Sequence, residues 1–216
     1  MLLNAGYEPD DARDWNNCGC VVPHFRKTGE WTAAVNMNFG SAMEYALNQG
    51  YSLMTGEKMG LDEKPASEMT SFDDVKNAFY KQFDNLCRHS IILTIEAQRL
   101  HKEMVPRPFL SSCIEHCMES GKDLSQGGAK YNVGPVITGI GLAVVANSLA
   151  AVKKLVFEDQ VCDMQTLAKA LQANWEGFDD LREQAKACPK YGNDDRYVDD
   201  IAIEIANHFY HEIHQY

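Results

Sequence analysis

The chain has 216 residues, 45% of them hydrophobic and 24% charged, a balance that fits a folded globular protein and excludes collagen-like and disordered classes. Thirty-one acidic against 20 basic residues give a formal net charge of -11. No overall positive field draws nucleic acid or an anionic lipid surface, so neither is expected as a partner. The longest apolar runs, around Ile137 to Ala146 and Ala150 to Phe157, are broken by Asn147, Lys153 and Lys154 and fall short of the roughly 20 residues that span a bilayer.

Met1 to Gly6 runs into the acidic stretch Glu8 to Asp14 without a basic head or a full apolar core, so no secretory signal is read and a cytoplasmic location is expected. The seven cysteines are odd in number and dispersed, which predicts free thiols, most of them buried, rather than a disulfide framework. Residues 1 to 40 show no sustained helical period and read as loop with short strand pieces. Ser41 is placed as the cap of a short helix through Asn48 that stops at Gly50. Ser71 or Thr70 caps a longer one, with Asp73 and Asp74 in its electropositive first turn. Phe72, Val75, Phe79, Phe83 and Leu86 step by three and four along it, and the helix is expected to run to about Lys102.

Pro106 and Pro108 end that helix, and a shorter one is expected from about Leu110 to Glu119. Gln126 to Pro135 is too glycine-rich for a regular element, yet it carries Lys130, Tyr131 and Asn132, which could face a cavity. Helices are then predicted over Leu142 to Phe157, from a cap at Asp163 to Ala173, over Asp179 to Lys186 and over Arg196 to His214. In the last, Val198, Ile201, Ile205, Phe209 and Ile213 form an apolar stripe.

The sharpest motif is Asn16-Asn17-Cys18-Gly19-Cys20-Val21-Val22-Pro23-His24. Cys18, Cys20 and His24 are ligand types for zinc or copper, but they lack the second pair that structural zinc sites use. A Cys18–Cys20 disulfide across one residue is strained. Buried thiols are the ordinary reading, while a cysteine on a glycine-flanked loop tip is also how a sulfur is projected into a cavity to react. Gly139-Ile140-Gly141 lacks a third glycine and a preceding strand, and is read as a helix entry rather than a dinucleotide loop. His208, His211 and His214 drift around their helix and are read as solvated, with no metal site assigned. Asp194, Asp195, Asp199 and Asp200 complement a helix N-terminus.

Asp11-Ala12-Arg13-Asp14-Trp15 followed by Gly19-Cys20-Val21 and Pro23 resembles the cysteine loop of the glycyl radical enzymes, the family of pyruvate formate-lyase, glycerol and choline lyases, arylacetate decarboxylases and fumarate-adding synthases. Three more ordered blocks resemble the same family: Gly127 to Asn132 with Gly134-Pro135, Ala146 to Phe157, and Tyr191 to Asp195 with Val198 to Asp200. The resemblance implies an α/β fold, here a mostly helical fragment of an α/β barrel with the cysteine on a finger loop (residues 16–24). It implies that Cys20 is the catalytic residue, forming a thiyl radical that takes hydrogen from a small organic substrate. Cys18, His24, Lys130, Tyr131 and Asn132 are expected to serve the substrate cavity or proton transfer. The radical is expected to come from a glycine segment absent here, installed by a separate iron-sulfur activase that uses S-adenosylmethionine.

Two departures bear on the chemistry. Many relatives place a glutamate acid or base two residues after the cysteine, where this sequence has Val22, so proton transfer by that route is not available. Gly19 also separates Cys18 from Cys20, where pyruvate formate-lyase has adjacent cysteines. The expected partners are the activase, a small-molecule substrate, the remainder of the enzyme or a complementary chain, and further copies in a homo-oligomer. The 216-residue chain alone is expected to be inactive and to expose apolar faces. A noncatalytic or metal-binding helical interaction protein is the alternative.

Overall fold

The computed structural model describes residues 2–18, 22–24, 28–29, 34–132 and 136–215, with 5, 16–18, 22–24 and 28–29 described by their backbone alone. In chain order the elements are α1 (Pro9–Arg13), β1 (Asn16–Cys18), β2 (Val22–His24), β3 (Thr28–Gly29), β4 (Ala34–Asn38), α2 (Phe39–Leu47), α3 (Phe72–Met104), α4 (Pro108–Ser111), α5 (Cys117–Ser120), β5 (Tyr131–Asn132), β6 (Val136–Ile140), α6 (Leu142–Val152), α7 (Met164–Gln172), α8 (Asp179–Ala187) and α9 (Arg196–His214). Helices dominate, and the strands form short pairs: β1 with β2, β3 with β5 and β4 with β6. The chain divides into two compact units, residues 1–35 with 92–137 and residues 36–91 with 138–216.

The second unit holds most of the core. Its part of α3 begins at a reciprocal cap: Ser71 Oγ accepts the Asp74 N–H at 3.1 Å, and Asp74 Oδ2 accepts those of Ser71 at 3.0 Å and Thr70 at 2.9 Å. This is a capping box with aspartate in the place of glutamate. Val75, Phe79, Phe83, Cys87 and Ile91, each four residues apart, are buried along one face. Phe39 of α2 packs edge-on against Phe83, with ring centres 4.7 Å apart, and against Phe209 of α9 at 5.1 Å.

Helix α2 starts two residues before the expected cap. Asn38, not Ser41, turns the chain, its Oδ1 accepting the Gly40 N–H at 2.9 Å, which lets Phe39 enter the core. Gly141, in the left-handed region, leads into α6, and the strand that the sequence did not show before it is β6, Val136–Ile140. α6 packs against α9 and α2 through Val145, Ala146, Leu149 and Ala150, and continues over Lys153–Glu158 as a wider π turn. Asp163 and Asp195 cap α7 and α9 through the N–H groups of Thr166 and Tyr197, and α9 spans the expected Arg196 to His214.

In the first unit the single helix expected over Leu110 to Glu119 is two short ones. His116, at φ 79°, stops any continuous helix before α5. Asp123 organises the segment: its Oδ2 accepts the Arg107 N–H and the Ser111 hydroxyl, both at 2.7 Å. Burial disfavours that carboxylate, but the hydrogen bonds from Ser125, Ser111 and Arg107 outweigh it and hold the group below the ordinary range. Cys117, Leu124 and Ala129, with Ile114, form a small apolar cluster there.

Candidate functional site

The site residues read from the sequence fall in the first unit. β1 and β2 pair antiparallel with Cys18 opposite Val22 and Asn16 opposite His24. Cys20 lies outside the described residues, and Cys18 and His24 are placed by their backbone in this ladder. Farther along, β3 pairs in parallel with β5, Thr28 beside Tyr131 and Gly29 beside Asn132. The segment that follows the cysteine hairpin thus runs alongside the glycine-rich loop, about a hundred residues away in sequence.

A buried carboxylate makes the second link between these segments. Asp11, on α1 just before the hairpin, is buried. Its Oδ2 accepts Lys130 Nζ at 2.7 Å and the Tyr131 hydroxyl at 2.7 Å. The Tyr131 oxygen in turn accepts the Glu8 N–H at 3.2 Å, and its ring lies 4.7 Å from that of Tyr7. The hydrogen bonds to Asp11 and Tyr131 hold the Lys130 ammonium above the ordinary lysine range. Lys130 is accordingly a fixed cation at neutral pH and not a proton acceptor. Asn132 Nδ2 donates to the carbonyls of Ala129 at 3.0 Å and Gly127 at 3.4 Å, so its amide closes its own loop. Gly128 is demanded by close approach, since a Cβ there would lie 2.1 Å from the Lys122 carbonyl oxygen.

The pyruvate formate lyase-like family model matches residues 1–216, the whole chain. The chain belongs to the pyruvate formate lyase-like family. It is 34% identical over 213 residues to trans-4-hydroxy-L-proline dehydratase of Clostridioides difficile, covering 98% of this chain and 27% of that protein. To (2S)-3-sulfopropanediol dehydratase of Klebsiella oxytoca it is 36% identical, covering 93% of this chain and 24% of the relative. The solved glycerol-bound B12-independent glycerol dehydratase of Clostridium butyricum superposes with a TM-score of 0.89 at 33% identity, over 100% of this chain and 27% of that one. The chain therefore spans about a quarter of the length of these glycyl radical relatives, and its fold is that of the corresponding segment.

Two other blocks of the family pattern meet in the second unit. Asn147 Oδ1 accepts the Tyr191 N–H at 2.7 Å, and Asp199 Oδ1 accepts that of Gly192 at 3.2 Å. These contacts fix the loop entering α9 on α6. An apolar cavity of about 640 Å³ also lies in this unit, lined by Met43, Leu47, Val144, Leu155, Leu167 and Trp175 among others. It holds none of Cys18, His24, Lys130, Tyr131 and Asn132, and its polar lining includes Glu44, Asn147, Arg182, Lys186 and Lys190.

Sequence reasoning passed over Asp11 as a site residue, although it opens the Asp11 to Trp15 block; nothing local announces that a carboxylate will meet Lys130. It also read His208 as solvated. The structure corrects this: His208 Nε2 lies 2.6 Å from Asp84 Oδ1 of α3, with the His208 ring 4.4 Å from that of Tyr80. The i, i+4 spacing of His208 and Glu212 on α9 was the available signal.

Proposed function

We propose that this chain is the cysteine-loop segment of a glycyl radical lyase, with Cys20 as the residue that takes hydrogen from a small organic substrate. The observation that carries the reading is the antiparallel pairing of Cys18 with Val22 in a chain matched along its whole length by this family. A glycyl radical, placed elsewhere in the complete enzyme by an S-adenosylmethionine iron-sulfur activase, takes the hydrogen atom of the Cys20 thiol. The sulfur-centred radical then takes a hydrogen atom from a substrate C–H, and the thiol returns one to the product. S–H and activated C–H bonds are of comparable strength, so both transfers run near thermoneutrality, and exclusion of water and oxygen protects the radical. The chemistry is anaerobic and cytoplasmic, and residues 1–216 form part of the barrel.

The other residues support the loop and the charge balance. Asp11 tethers Lys130 and Tyr131 beside the hairpin through a neutralising ion pair, which keeps the glycine-rich loop in register. Val22 supplies no proton, so a reaction with proton transfer at the substrate draws on another group, and His24 is the nearest such residue in the sequence. This favours decarboxylation or carbon–carbon bond chemistry over dehydration of a simple polyol. The named dehydratase relatives support the lyase class, not one substrate.

The test uses the full-length enzyme that contains this chain, treated anaerobically with an activase and S-adenosylmethionine. Cys20→Ala should keep the glycyl doublet in electron paramagnetic resonance and lose turnover, while Cys18→Ala keeps both. Activity that survives Cys20→Ala and disappears in Cys18→Ala reverses the assignment. Turnover of glycerol or choline at rates typical of the polyol and choline lyases would overturn the reading of Val22.

A further inference from the structure

Helices α3 and α9 face each other along a seam of polar rungs in the second unit. At one rung the charges balance: Lys76 Nζ lies 2.7 Å from Glu204 Oε1, and the Tyr80 hydroxyl also bonds Glu204. At the next, His208 Nε2 meets Asp84 Oδ1 at 2.6 Å. One turn on, Glu212 adds a second carboxylate, whose Oε1 accepts Gln215 Nε2 at 2.7 Å. Among the described residues no lysine or arginine pairs with Asp84 or Glu212, so two carboxylates converge on one imidazole.

We propose that Asp84, His208 and Glu212 bind one divalent transition-metal cation that cross-braces α3 and α9. One ligand atom from each of the three lies within 4.8 Å of the others, and all three residues are half-buried. Bonds of about 2.0–2.2 Å to such an ion set neighbouring ligand atoms roughly 3–3.5 Å apart. The Asp84–His208 pair therefore opens by about 1 Å or less and Glu212 closes by at most about 1–2 Å, within side-chain rotation. The His208 ring is already held between Tyr80 at 4.4 Å and Phe83 at 5.8 Å. The metal takes the place of the hydrogen bond between His208 and Asp84, the imidazole coordinating through Nε2 with its proton on Nδ1. One imidazole with two carboxylates suits zinc, cobalt, iron or manganese rather than calcium, which takes oxygen alone, or copper(I), which takes sulfur.

The site lies apart from the cysteine hairpin in sequence, and its test uses the full-length enzyme that contains this chain. Titration of the reduced protein with Co²⁺ should show one bound ion per chain and visible bands of oxygen and nitrogen coordination, without a sulfur charge-transfer band. Glu212→Gln, Asp84→Asn and His208→Gln should each weaken binding by at least about tenfold, with circular dichroism confirming the fold. Joint Cys18→Ser and Cys20→Ser substitution should leave it unchanged. Absence of stoichiometric binding, a sulfur charge-transfer band, or unchanged affinity in Glu212→Gln overturns the proposal. Should His208→Gln unfold the chain, the partly exposed Glu212→Gln decides alone.

Discussion

Replacing Gly139 with alanine tests whether that glycine serves packing. A Cβ on Gly139 would lie 2.4 Å from Phe39 Cζ, 2.8 Å from Phe39 Cε1 and 3.3 Å from Phe209 Cε1. Carbon pairs prefer about 3.5–4.0 Å, so the nearest contact is short by about 1 Å. Phe39 cannot retreat into solvent: it is 3% exposed, and its ring is held by Phe83 at 4.7 Å and Phe209 at 5.1 Å. Overpacking of this kind costs about 1–3 kcal/mol, and the rigid aromatic neighbours place it in the upper half of that range. Gly139 is not among the glycines at positive φ, so alanine also restricts the unfolded chain and returns about 0.4–1 kcal/mol. The net expectation is a loss of about 1–2.5 kcal/mol. Urea denaturation followed by far-ultraviolet circular dichroism measures it as a lower midpoint at unchanged m-value. Phe39→Leu in the alanine background should recover part of the loss, giving a coupling of about 1 kcal/mol between the two sites. A loss below about 0.5 kcal/mol, or strict additivity of the two substitutions, would refute the packing argument and reopen a backbone role for Gly139.

Burial, with the carboxylates of Asp84 and Glu212, pushes the Cys87 thiol up to about 12, which leaves a thiolate fraction on the order of 10⁻⁴ at pH 8. Iodoacetamide at that pH should label the exposed Cys113 at least about 100-fold faster than Cys87 in the native protein; comparable rates by mass spectrometry would contradict the burial. Phe109, Met104 and Met118 are 87%, 72% and 70% exposed, and Leu93 and Ile95 add to the apolar surface of the first unit. The 216-residue chain by itself should therefore associate, seen as a mass above 24.2 kDa in size-exclusion chromatography with light scattering, and a clean monomer at micromolar concentration would count against it.

Local physics made much of this protein legible from the sequence. α9 runs from Arg196 to His214 because its apolar stripe repeats at the helical period and Asp195 caps it. Asp163 starts α7 for the same kind of reason, and the glycines of 126 to 135 announced a loop, which the structure bears out over residues 127–130 before the two-residue strand Tyr131–Asn132. The four ordered motif blocks were enough to recognise the family. Tertiary structure alone decided which distant groups meet. Ser41 and Asn38 are both competent caps, and the turn falls at Asn38 because Phe39 is drawn into an aromatic cluster with Phe83 and Phe209. The segment from Leu110 to Glu119 has helical composition, yet Asp123 gathers the Arg107 N–H and the Ser111 hydroxyl into a different arrangement. Asp11 and Lys130 stand 119 positions apart, and Asp84 and His208 stand 124 apart. Periodicity and capping act over one or two turns of chain, whereas a buried carboxylate selects its partner by desolvation and distance after the chain has folded.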